Sequence, residues 1–110
     1  MVGIGVWERD EGGVLVELRG EFDQHTLEAL RETIDEVAAL GRPMLVDLAG
    51  VTFLDLGAAR ELVIRYQLYV CQLVLCNPSW QVRASVAACG FGEWLDFRTD
   101  TDGSACLQAS

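Results

Sequence analysis

The sequence predicts an α/β domain, a mixed β-sheet carrying helices in the order β-β-α-β-α-β-α-β, with room for a short C-terminal helix. Three observations carry that prediction. Apolar residues recur at every second position up to Leu18, then with helical spacing from Leu27 onward. Two short, nearly continuous apolar runs, Met44–Leu48 and Leu73–Cys76, have the composition of strands covered on both faces. Each is followed by a turn and then a helical pattern, the alternation that builds a sheet through crossover connections.

Val2, Ile4 and Val6 alternate with Gly3, Gly5 and Trp7, Asp10-Glu11-Gly12-Gly13 is a turn cluster, and Val14, Val16 and Leu18 alternate again. This is the pattern of a β-hairpin. Leu27, Leu30, Ile34, Val37 and Ala38 form one face of a helix predicted over Thr26–Leu40, which Gly41 and Pro43 stop. After the strand Met44–Leu48, Ala49-Gly50 reads as a turn into Val51-Thr52-Phe53-Leu54. Asp55 opens a second helix, predicted over Gly57–Tyr69, with Ala59, Leu62, Val63 and Tyr66 inward and Glu61 and Arg65 paired outside. Between Arg60 and Cys76 there is no Gly, Pro or Asn, so the sequence does not mark the turn into the next strand. Asn77-Pro78-Ser79 starts a third helix, predicted over Ser79–Cys89, which buries Val82, Val86 and Cys89 and ends at Gly90. Trp94–Phe97 reads as a last short strand, and Thr101–Ser110 holds at most about two helical turns.

A length of 110 residues suits one domain spanning 1–110, large enough to bury a core without staples. With 8 basic and 17 acidic residues the net charge is −9, which speaks against nucleic acid or anionic lipid as a partner. All eight basic residues are arginines, which removes every chemistry that needs a lysine, and imidazole chemistry would rest on His25 alone. The N-terminus lacks the basic start and long apolar stretch of a secretion signal. The most apolar segment, Leu62–Cys76, is interrupted by Arg65, Gln67 and Gln72 and is not expected to enter a membrane. The expected location is therefore the cytoplasm, where thiols stay reduced. Cys71, Cys76, Cys89 and Cys106 form no C-x-x-C pair and read as small apolar residues filling core space, with no metal or other cofactor expected.

Catalytic patterns fail in turn. Gly3-x-Gly5 lies within a strand with no helix behind it, so it reads as a place where something packs closely rather than as a dinucleotide fingerprint. No serine sits in a G-x-S-x-G elbow. Asp47 and Asp55 are both carboxylates, but no spacing argument brings them into one cleft, and no enzymatic activity is expected. Asp23 and Asp55 precede the first and second helices, where each could cap orphan N–H groups. Loops that leave strands and enter helices gather at one end of such a fold, which gives the two aspartates a reason to act together.

Three segments in order, Leu18-Arg19-Gly20-Glu21-Phe22-Asp23, Val46-Asp47-Leu48-Ala49-Gly50-Val51-Thr52-Phe53-Leu54-Asp55 and Val74-Leu75-Cys76-Asn77-Pro78-Ser79, resemble the STAS family, most closely its bacterial anti-sigma factor antagonists. The likeness is strongest over 14–97, with Gly90-Phe91-Gly92-Glu93 where the family has a similar glycine turn. It implies a regulatory interaction module that binds an anti-sigma factor and thereby frees a sigma factor. In the family an ATP-dependent serine kinase, often the anti-sigma factor itself, phosphorylates the serine directly after the aspartate that opens the second helix. A phosphate there would be held by helix N–H groups and would spoil docking of a partner. This chain departs at that residue: the family's Asp-Ser-Ser-Gly is Asp55-Leu56-Gly57-Ala58. Leu56 offers no hydroxyl, Gly57 removes the second, and the nearest is Thr52 on the preceding strand. The resemblance thus implies a partner surface at Asp23, Asp55, Leu56, Gly57 and Ala58 without the serine switch. A STAS subunit of a transporter or other ATPase complex, or a small-ligand sensor using the groove near Asp23 and Leu56, are the alternatives.

Overall fold

In the computed structural model, which describes residues 2–98, five strands form one sheet in sequence order. β1 (Val2–Glu8) and β2 (Val14–Phe22) make the antiparallel hairpin, and β3 (Met44–Leu54), β4 (Leu73–Cys76) and β5 (Phe97–Arg98) continue it in parallel. The helices α1 (Leu27–Ala38), α2 (Leu56–Leu68) and α3 (Trp80–Ala88) fill the three crossovers. Their buried residues, among them Leu30, Ile34, Ala58, Ala59, Leu62, Val82 and Val86, merge with Val14, Val16, Leu18, Met44, Val46, Leu48, Leu73 and Leu75 into one core. Leu45, Val74 and Cys76 are buried on the opposite side of the sheet, as continuous apolar strands require.

The helices lie within a residue or two of their expected bounds, and α2 begins at Leu56 rather than Gly57. Gly41 and Gly90, at φ 72° and 77°, take the left-handed conformation that ends α1 and α3. The unmarked turn after α2 is built by hydrogen bonds instead: the Tyr69 carbonyl accepts from Gln72 N at 2.8 Å and Leu73 N at 2.7 Å. The Gln72 side chain meanwhile donates to the Ala38 and Arg42 carbonyls at 2.8 and 3.0 Å.

Three expectations need correction. Ala49-Gly50 is not a turn, because β3 runs unbroken from Met44 to Leu54 and absorbs the extra residues as register shifts against β2. The Asp47 side chain accepts from Ala49 N at 2.9 Å within this irregular stretch. The last strand is displaced: Gly92–Trp94 form a 3-10 turn, and only Phe97–Arg98 pair with β4. Cys71 is exposed beyond α2 rather than buried, while Cys76 is buried and Cys89 packs half-buried against the core. Cys106 and the helix expected within Thr101–Ser110 lie outside the described residues.

Candidate functional site

Phe22 and Leu54 are opposite one another at the ends of β2 and β3, so the loop entering α1 and the loop entering α2 start side by side. Asp55 binds them together. Its backbone N–H donates to the Phe22 carbonyl at 3.0 Å. One carboxylate oxygen caps α2 by accepting from Ala58 N at 2.8 Å, and the other accepts from Gln24 N at 3.1 Å. Capping is therefore half of what Asp55 does; the other half is to staple the first loop to the second.

Asp23 does not cap α1. Its Oδ1 accepts from His25 N at 2.8 Å, closing a local turn, and its N–H donates to the Thr26 hydroxyl at 2.9 Å. Thr26 occupies the N-cap position but makes no side-chain cap bond to the helix. The reason is competition, since the Thr26 hydroxyl is already engaged by the backbone of Asp23. The carboxylate of Asp23 is left half-buried at the rim of the tip.

The expected surface residues separate into two kinds. Leu56 is the first residue of α2 and is 57% exposed. Phe53, two residues before Asp55, is also exposed, an apolar contribution that a strand pattern gave no reason to single out. Gly57 lies against α1, where a methyl group would meet Leu27 at 3.8 Å. Ala58 corrects the expectation: its side chain is fully buried, so it supports the tip through its N–H and presents nothing to a partner. Thr52 is exposed on β3, and Asp47 lies eight residues before Asp55, on the order of 20 Å along the strand, so the two make no carboxylate pair.

A polar cluster behind the tip sets how α1 and α2 meet. Arg65 on α2 donates through one nitrogen to both oxygens of Asp35 on α1 at 2.7 Å and pairs with Glu61 at 3.2 Å. The Tyr69 hydroxyl donates to Asp35 at 2.5 Å. Desolvation pushes the Asp35 carboxyl up, but the hydrogen bonds from Tyr69 and Arg65 and the Arg65 charge outweigh it, and the net shift is downward. Tyr69 moves up, chiefly because its hydroxyl proton is held by Asp35. The Glu61–Arg65 spacing was visible in sequence. Asp35 and Tyr69, 30 and 34 residues from their partners, were not.

The glycines of β1 are explained by what crosses them: a methyl at Gly5 would lie 2.9 Å from the Trp7 indole nitrogen, and one at Gly3 would lie 3.5 Å from Arg19 Nε. Two cavities of about 310 and 260 Å³ lie elsewhere, the first lined by Arg83, Asp96 and Phe97 among others, the second by Val63, Gln67, Phe91 and Trp94. Neither is lined by Asp23 or Leu56. Among the described residues no group of three or more His, Cys, Asp or Glu is placed to hold a metal, and no helix is long and apolar enough to cross a membrane.

A family model, the STAS domain, matches residues 6–103. No curated protein matches the chain. Among solved structures the chain is similar to an anti-sigma factor antagonist from Mycobacterium paratuberculosis, at 23% identity and TM-score 0.81, covering 99% of this chain and 93% of that one. It is also similar to the anti-sigma factor antagonist SpoIIAA in its unphosphorylated form, at 21% identity, TM-score 0.71 and 98% coverage of both chains. The phosphorylated form, described as a Bacillus cell fate determinant, matches at 21% identity and TM-score 0.68, covering 98% of this chain and 100% of that one. SLC26A9 matches at 17% identity and TM-score 0.70, with 89% of this chain covering 20% of that one. Identities this low establish a shared fold.

Proposed function

The chain belongs to the STAS domain family, and from that premise we propose that it is a regulatory binding module, an anti-sigma factor antagonist that acts without phosphorylation at the helix tip. The observation that carries this reading is Leu56. It stands exposed at the first position of α2, directly after the capping Asp55, where the family resemblance sets a phosphorylatable serine. Asp23 supplies an anionic rim for a basic group of the partner. The protein works by binding rather than by catalysis, in the cytoplasm. Its partner is an anti-sigma factor, of the ATP-binding serine kinase type where that protein is also a kinase. The structural likeness to two anti-sigma factor antagonists supports this reading.

Leucine in place of serine changes the logic of the switch. A phosphoserine adds nearly two negative charges where a partner would dock, so a kinase can turn binding off. Leu56 leaves the tip permanently apolar, and the antagonist is always available to its partner. Any control over it lies at another point, in its amount or in the partner.

A second reading is favoured by one observation: SLC26A9 contains this fold as 20% of a much larger chain. The domain would then be a subunit of a transporter or other ATPase complex. Affinity capture from the native cell, with the wild-type chain as bait, separates the two. Enrichment of an anti-sigma factor supports the first reading, and enrichment of membrane transporter components in its place overturns it.

A further inference from the structure

We propose that β1 is a self-association edge, through which two copies of this chain pair antiparallel about a twofold axis at Gly5 and continue one sheet across both. β1 is the outer strand of the sheet and among the described residues pairs only with β2. Natural edges are protected by brevity, proline, bulges or charge. The opposite edge, β5, comprises only Phe97–Arg98 among the described residues. β1 has seven residues in unbroken register with β2, contains no proline, and carries no charge before Glu8. In a chain of net charge −9 it is a neutral line along which a second copy can approach.

The direction of its backbone groups follows from the hairpin. Arg9 N donates to the Gly13 carbonyl at 2.9 Å and the Arg9 carbonyl accepts from Gly12 N at 3.0 Å, so Arg9 turns its groups toward β2. Alternation then turns those of Trp7, Gly5 and Gly3 inward and those of Glu8, Val6, Ile4 and Val2 outward. Of the symmetric antiparallel registers, the one centred on Gly5 pairs all seven residues. It sets Ile4 against Val6 and Val2 against Glu8 of the second copy, with outward groups facing outward groups, each pair exchanging two hydrogen bonds.

The side chains fit the same register. Trp7 of one copy falls opposite Gly3 of the other, in a non-hydrogen-bonded pair where side chains approach closely. Gly3 has no side chain to obstruct it, and the Arg19 guanidinium lies over Gly3, with Nε and Nη2 at 3.5 and 3.6 Å from where a methyl would be. The Trp7 indole itself stays with its own chain, lying over Gly5 and donating through Nε1 to Glu17 at 2.8 Å, so the Trp7–Gly3 pair leaves the two backbones free to approach. On the other side of the sheet Ile4 covers Val6, which is 48% exposed in the single chain.

Sedimentation velocity on the full chain, from about 10 µM to about 1 mM, tests the pairing, because an interface of this modest size sits in the weak range. The wild type should shift from monomer to dimer across that range. Val6→Pro, which removes an outward N–H and no bond to β2, should stay monomeric. A wild type that remains monomeric at about 1 mM, or a dimer that Val6→Pro leaves intact, overturns the proposal. Hydrogen exchange on the wild type needs no variant to fold: the Ile4 and Val6 amides should slow with concentration while Gly5 does not change. Concentration-independent exchange at Ile4 and Val6 would equally overturn it.

Discussion

Replacing Asp55 by alanine removes two bonds at once, and the structure sets the size of the loss. The cap on Ala58 N, at 2.8 Å, is a helix N-cap whose removal costs about 1 kcal/mol. The bond to Gln24 N, at 3.1 Å, is charge-assisted but exposed, worth about 1 kcal/mol more. The sum is roughly 2 kcal/mol, and for a domain of this size each kilocalorie moves the melting temperature by about 4–8 °C, so Asp55→Ala should melt roughly 10 °C below wild type. Asp55→Asn keeps one good acceptor and should lose about half as much. Thermal melts by circular dichroism measure the loss, and hydrogen exchange locates it, with the Gln24 and Ala58 amides exchanging faster than in wild type. If Asp55→Ala melts within about 2 °C of wild type, the aspartate does not hold the two loops together, and the reasoning that makes them one surface fails.

Arg65→Met should destabilise the fold by about 2–3 kcal/mol, because it strands Asp35 and Glu61 beside a nearly buried position, and urea unfolding reads it directly. Tyr69→Phe should cost about 1.5 kcal/mol, and the double variant less than the sum, since both side chains act on the same carboxylate. Asp35 has its pKa below the ordinary 3.8, so its contribution is complete above that value and is lost as pH falls through the folded one. Tyr69 lies above the ordinary 10.0, so its contribution is complete below that value and is lost as pH rises through the folded one. Asp35→Asn should therefore flatten both the acid and the alkaline limbs of a stability–pH profile. Incubation with ATP and extract from its own cell should add no phosphate at positions 55–58, as intact-mass and peptide mass spectrometry would reveal; stoichiometric phosphate on Thr52 would restore a switch that Leu56 had removed.

What was legible in the sequence is what is local. The 3.6-residue spacing from Leu27 to Ala38 located α1, and the apolar runs at Met44 and Leu73 located the inner strands, because burial on one face or two writes itself directly into the pattern. Asp55 was readable as a cap for the same reason. The continuity of β3 through Gly50 was not, since it depends on β2: a methyl at Gly50 would stand 2.7 Å from the Arg19 Cγ, so this glycine makes room for a neighbour rather than for a turn. That Asp23 leaves α1 uncapped was not legible, because nothing in the order Asp23-Gln24-His25-Thr26 says that the threonine hydroxyl is engaged by the Asp23 N–H three residues earlier. The burial of Ala58 and the meeting of Asp35 with Arg65 are consequences of how α1 lies on α2, which no local spacing encodes.

The central claim, a partner surface built on an unswitched Leu56, is tested most directly by titrating the captured anti-sigma factor against wild type, Leu56→Ser and Leu56→Glu. Leu56 is already 43% covered in the free chain, so docking can bury only the remaining 57%, worth roughly 1–2 kcal/mol. Leu56→Ser should weaken binding about 5–30-fold. Leu56→Glu loses the same contact and puts an unpaired charge into a desolvated interface, a further loss of at least about tenfold. Because glutamate is favoured in the first turn of a helix, its melting temperature should stay close to that of wild type. Graded loss in the order Leu56, Ser, Glu with unchanged melts is the predicted result; equal affinity for all three proteins would place the partner elsewhere and contradict the account.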